Sequence, residues 1–103
     1  MSIIWHTYNW EGLSKKMLYE ALTLRSLVFV VEQNCVYQDL DSKDENGIHV
    51  LGYKQNLLVA YARVFPNAKP ASIGRVVIHP LFRGLGYGKH VMQKCIEQIP
   101  KNI

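Results

Sequence analysis

The chain has 103 residues, of which 49% are apolar and 19% charged, with a formal net charge of +4. That length makes one domain or part of one, and the apolar content excludes a disordered chain. A chain of this size buries roughly 60–70% of its extended surface, enough for a core without staples. The basic residues are scattered, Lys15-Lys16 being the only adjacent pair. They alternate with no aromatic series, which argues against a nucleic-acid binder and suits an anionic small molecule.

Cys35 and Cys95 have neither a metal-ligand spacing nor the makings of a disulfide framework, so two reduced thiols and no metal are expected. The first residues lack the basic and long apolar segments of a signal peptide. Uninterrupted apolar runs such as residues 27–31 are far short of the ~20 residues a membrane span needs. A soluble, cytoplasmic protein is expected, with no nucleic-acid or membrane partner.

Residues 2–7 read as a strand, rich in β-branched and aromatic side chains at Ile3, Ile4 and Trp5. After a turn at 9–12, Ser14 offers a helix N-cap. Met17, Ala21, Leu24 and Val28 follow at helical spacing, widened by Leu18 and Leu22. They predict an amphipathic helix that reaches residues 29–32, where the β-branched cluster favours extended backbone as the alternative. Residues 34–47 are polar, with Asp39, Asp41, Asp44 and Glu45 close together. The calcium-loop pattern fails, because Lys43 and Asp44 stand where Asp/Asn and Gly are needed. The stretch reads as a solvated acidic loop, or as an acidic rim that attracts an amine.

Residues 48–54 and 57–65 are two strands joined by Gln55-Asn56, a two-residue hairpin connection. A turn over 66–70 precedes a third apolar strand, 72–79, which ends at His79-Pro80. Then come Arg83-Gly84-Leu85-Gly86-Tyr87-Gly88-Lys89 and a helical pattern carrying Val91, Met92, Cys95, Ile96 and Ile99. Pro100 bars its continuation. The expected order is β-α-β-β-β-α, with helices on both faces of the sheet.

A strand, a glycine-rich turn and a helix start together aim backbone N–H groups at an anion. The dinucleotide fingerprint needs G-x-G-x-x-G, whereas Gly84, Gly86 and Gly88 give G-x-G-x-G. The P-loop needs a hydroxyl residue after Gly-Lys, where His90 stands, and a glycine where Arg83 stands. What remains is Arg83-x-x-Gly86-x-Gly88 directly after a strand. This resembles the acetyl-CoA pyrophosphate loop of the GNAT N-acetyltransferases, [RQ]-x-x-G-x-[GA]. Upstream, Leu24-Arg25, residues 28–33, Cys35-x-Tyr37-Gln38-Asp39-x-Asp41, residues 59–63 and Ile73-Gly74-Arg75-Val76 resemble the ElaA-like branch of that superfamily.

The resemblance implies the GNAT acyl-CoA N-acyltransferase fold, an α/β arrangement of the α+β type whose mixed, mostly antiparallel sheet is flanked by helices. It implies an enzyme that moves an acetyl group from acetyl-CoA to a primary amine, in a small molecule or a protein, by direct attack on the thioester. The cofactor would lie on Arg83, Gly84, Leu85, Gly86, Tyr87, Gly88 and Lys89, with backbone N–H groups of Val76, Val77 and Ile78 polarising the carbonyl. Glu32 and His79 are the candidate bases for the amine; for Glu32 an ion pair with Arg25 or Arg63 is the competing role, and for His79 a bond to its own turn. His6, His49 and His90 have weaker cases, and Tyr37 and Tyr61 read as packing residues. A complete domain of the family continues with a fifth strand, a helix bearing a tyrosine acid, and two closing strands. Residues 1–103 are therefore expected to form a single incomplete acetyltransferase domain, truncated before the fifth strand. A second copy of the chain would cover the sheet edge at 72–79 in a homodimer. A non-catalytic CoA-binding or interaction module is the alternative.

Overall fold

The computed structural model describes residues 3–36 and 38–101. The expected strand start at Ser2 and the packing role of Tyr37 lie outside the described residues. The chain forms β1 (Ile4–Tyr8), α1 (Lys15–Arg25), β2 (Ile48–Lys54), β3 (Leu57–Phe65), β4 (Ser72–Ile78) and α2 (Tyr87–Glu97). Among the described residues the sheet runs β1-β2-β3-β4 and is antiparallel throughout. The expected order of elements is therefore the observed one, with short helical turns added at Asp44–Asn46 and Pro80–Phe82.

Ser14 caps α1, its Oγ accepting from the Met17 N–H at 3.1 Å. Ala21, Leu24 and Val28 are buried and Met17 packs against them, as the stripe predicts. The helix does not stop at Arg25. Residues Ser26–Glu32 continue it as a π-helix, and the Cys35 N–H still reaches back to the Val30 oxygen at 3.1 Å. Wider winding relieves the crowding that β-branched Val28, Val30 and Val31 would meet in a tight α turn.

Alternation along the strands sends side chains to two cores. On one face Leu51, Tyr53, Tyr61 and Val77 pack against α1; on the other Val50, Ala60, Ala62 and Val64 pack against Val91 and Cys95 of α2. Burial pushes the Cys95 thiol up to about 11, whereas Cys35 is exposed. Gln55 and Asn56 both take left-handed backbone (φ 50° and 69°), the twist a two-residue hairpin demands. The Lys69-Pro70 bond is cis. The β3–β4 register shifts between Tyr61 and Arg63. Opposite that shift Arg75 sits at φ 52°, a conformation costly for a residue with a Cβ.

The stretch from 39 to 46 differs from expectation. Asp39 and Asp44 are not solvated: they are only 7% and 8% exposed, and arginines from three elements hold them, while Glu45 is exposed. Arg25 of α1, fully buried, bonds Asp39 at 2.9 Å and Asp44 at 2.8 Å. Arg63 of β3 bonds Asp41 at 2.7 Å and Asp44 at 2.8 Å. Arg75 of β4 bonds the Asp39 carboxylate at 2.9 Å and donates to its carbonyl at 2.8 Å. Buried carboxylates need such partners, since an unpaired charge in an apolar setting costs several kcal/mol, on the order of 3–5. His49 completes the cluster. Its Nε2–H donates to the Asp44 carbonyl at 2.8 Å, so Nδ1 accepts the Tyr61 hydroxyl at 2.6 Å. Burial pulls the His49 pKa below its ordinary value, consistent with that neutral tautomer.

Candidate functional site

β4 delivers the chain into a helical turn whose cap is His79. The His79 Nδ1 accepts the Leu81 N–H at 3.2 Å, its own N–H donates to the Val59 oxygen at 2.7 Å, and Phe82 meets its ring edge-on at 5.5 Å. The turn-bonding role is thus the one this geometry displays. Neutral His79 carries its proton on Nε2, because Nδ1 is the acceptor.

Gly84 and Gly86 follow in left-handed backbone, at φ 79° and 85°. Only glycine takes that conformation freely. Gly86 is the N-cap of α2; no side chain caps the helix and its first turn holds no acidic residue. The first intrahelical bond seen across the cap is His90 N–H to Gly86 O at 3.3 Å. The N–H groups of Tyr87, Gly88 and Lys89 precede it and have no intrahelical acceptor. A Cβ at Gly84, Gly86 or Gly88 would meet no protein atom within 4 Å. Donors without an intrahelical acceptor, the positive end of a helix dipole and open space together suit an anion.

Arg83 opens the loop but does not point its fork into open solvent. Its two Nη atoms bond the two oxygens of Glu32 at 2.7 Å each, and its Nε–H donates to the Ile78 carbonyl at 3.3 Å. This corrects the expected partners of Glu32: Arg25 and Arg63 are consumed by aspartates, and the π-helix end turns Glu32 to the glycine loop instead. Hydrogen bonds from Arg83 hold the Glu32 carboxyl below its ordinary value.

Lys54, at the end of β2, was not singled out from sequence. Its Nζ lies 3.5 Å from the Tyr87 hydroxyl and 5.6 Å over the Phe82 ring. No local pattern marks it; only the pairing of β2 with β3, and of β3 with β4, brings it to the loop. Val77 is core, as expected, at 2% exposed, while Val76 and Ile78 are half-buried and pack against the opposite core. Tyr61 is packed and fully buried. His6 stacks on Tyr8 and stands apart from the loop.

The other end of β4 borders an open cleft of about 790 Å³, which Asp41, Arg63, Phe65, Ser72, Gly74 and Arg75 help to line. One strand thus joins two features, a cleft at its start and an uncapped helix start past its end. Among the described residues no group of three or more His, Cys, Asp or Glu side chains is arranged for a metal ion. No described helix is long and apolar enough to cross a membrane.

The sequence profile of the acetyltransferase (GNAT) family matches residues 6–102. The chain belongs to that family. It is 44% identical over 100 residues to the protein ElaA of Escherichia coli, an alignment covering 92% of this chain and 65% of ElaA. It is 39% identical to a UPF0039 protein of Synechocystis, covering 95% of this chain and 66% of that one. The chain therefore spans about 65% of the length of the ElaA relative it matches. The crystal structure of E. coli ElaA superposes with a TM-score of 0.87, covering 92% of this chain and 68% of that one. An acyl-CoA N-acyltransferase from Pseudomonas aeruginosa, 35% identical, also gives 0.87, with 93% and 69% covered. The fold is thus the GNAT acyl-CoA N-acyltransferase fold, and the family is one of acetyltransferases that use acetyl-CoA.

Proposed function

We propose that this chain is an acetyl-CoA-dependent N-acetyltransferase acting on a primary amine. The observation that carries the reading is the uncapped start of α2 behind two left-handed glycines, directly after β4. Pyrophosphate, with two or more negative charges, suits backbone donors that have no intrahelical acceptor. The seven residues of β4 span roughly 23 Å at about 3.3 Å per residue, room for an extended arm to run along the strand from the loop.

In the reaction the amine nitrogen attacks the thioester carbon, the carbon–sulfur bond breaks, and CoA leaves as a thiolate that takes up a proton. Backbone N–H groups of Val76 to Ile78 stabilise the oxyanion. The amine must shed a proton, since its ordinary pKa is near 10. Between the two candidate bases we favour His79. Releasing one neutral hydrogen bond from Leu81 costs about 0.5–1.5 kcal/mol. Glu32 would have to give up two charge-assisted bonds, the stronger kind.

The test is calorimetric titration with acetyl-CoA, followed by thiol release with a panel of amines. Micromolar binding, about −8 kcal/mol, abolished when Gly86 and Gly88 are replaced by valine, is the expected result. His79→Gln is expected to bind acetyl-CoA but lose the acid limb of the pH–rate profile. A folded sample that gives neither heat nor thermal shift would overturn the assignment, and binding without thiol release would reduce it to cofactor capture.

A further inference from the structure

We infer that Glu32 is a positioning residue for the cofactor loop: it fixes Arg83, and Arg83 fixes the turn between β4 and α2. The inference rests on the acetyl-CoA reading of that loop.

Residues 83–86 are exposed, and no protein atom packs within 4 Å of the Cβ positions of Gly84 or Gly86. Glycines have the most backbone freedom to lose on ordering, so packing alone does not hold this turn in one shape. Arg83 supplies the tether. One side chain bridges the last carbonyl of β4, at Ile78, and the carboxylate at the end of the π-helix. Three of the five guanidinium N–H donors are thereby committed within the protein.

The charges point the same way. An arginine meant to grip phosphate keeps its planar fork free for the oxygens. Here a carboxylate occupies the fork and cancels its charge, and that carboxylate would repel an anion approaching the same guanidinium. Among the described residues, the cations beside the turn that lack an ion-pair partner are Lys54, 3.5 Å from Tyr87, and Lys89 within the motif. Arg83 therefore shapes the seat, and backbone N–H groups and these lysines are left to meet the ligand. Glu32 is equally committed: both its oxygens accept from Arg83, leaving it poorly placed to take a proton from an amine.

The experiment is a double-mutant cycle on the whole chain with Glu32→Gln, Arg83→Gln and the pair combined. Each is titrated with CoA and assayed for kcat and KM of acetyl-CoA, with circular dichroism as a check of folding. Each single change is expected to raise Kd and KM about three- to fivefold, the upper end for an exposed ion pair. Values of kcat should stay within about twofold, and the double variant should lose no more than the worse single, as for two groups acting as one unit. Glu32→Asp, which keeps the charge, should recover part of the loss.

Equal or tighter CoA binding by Glu32→Gln would overturn the inference, because Arg83 would then be a phosphate ligand released by the loss of its partner. So would losses that add in the double variant. A fall in kcat with KM unchanged, and loss of the acid limb of the pH profile, would make Glu32 the base instead. If the wild-type chain bound no CoA, the acetyl-CoA reading and this inference would fall together. If it bound and the variants matched it, the inference alone would fall.

Discussion

Two sets of arginine–carboxylate pairs with near-identical distances do opposite work in this protein. Around Asp39, Asp41 and Asp44, bonds of 2.7–2.9 Å lie at the sheet surface under the 39–46 loop, with Arg25 wholly removed from solvent. At Glu32–Arg83 the bonds are 2.7 Å, but the side chains remain 37% and 44% exposed. Distance alone therefore says little about what a pair contributes. Water decides: a buried charge stripped of its partner has nowhere to turn, whereas an exposed one is resolvated.

The largest expected break in that comparison is Asp44→Ala. It leaves Arg25 and Arg63 each short of a partner and is expected to cost about 3–5 kcal/mol, a large part of the 5–15 kcal/mol typical of a domain. Urea unfolding measures it; a midpoint like that of the wild type would mean that water reaches the cluster.

Acid should attack the same cluster next. Arg63 hydrogen bonds hold the Asp41 carboxyl far below its ordinary value. Burial alone would raise the Asp44 carboxyl, but bonds from Arg25 and Arg63 outweigh it and lower it. Burial lowers His49. All three groups bind protons more readily in the unfolded chain, so their contributions are present at neutral pH and are lost on acidification. Stability should begin to fall below the ordinary histidine value of 6.5 and then fall more steeply below the ordinary aspartate value of 3.8. Urea midpoints across a pH series measure this, and a rise on acidification would contradict it. The smallest effect belongs to the exposed pair: Glu32→Ala should leave Tm unchanged while weakening CoA binding. A marked drop in Tm would mean that the pair holds the fold and not merely the turn.

What could be read from sequence follows the same divide between local and distant causes. Ser14, the Met17–Ala21–Leu24–Val28 stripe, the hairpin at Gln55-Asn56 and the Gly84–Gly88 turn carry their signals within a few residues, and all were legible. The partner of Glu32 was not, because Arg25, Arg63 and Arg83 are equivalent as cations until the aspartates claim the first two. The burial of Asp39 and Asp44 was hidden for the same reason: a run of acids reads as solvated unless arginines from α1, β3 and β4 are known to converge on it. Lys54 reaches the loop only through strand register. The π-helix was half legible, since the β-branched run marked a disturbance at the end of α1 without saying that the chain would wind wider instead of unwinding.

The aspartate loop has a consequence for the order in which the chain assembles. β2, β3 and β4 are joined by short connections and form a meander that can pair early, because little chain entropy is lost in closing such loops. The residues that hold 39–44 are spread over α1, β3 and β4, so the loop has no complete set of partners until helix and meander have docked. Its amide protons should gain protection from solvent exchange only after those of the meander, making the loop a reporter of finished assembly.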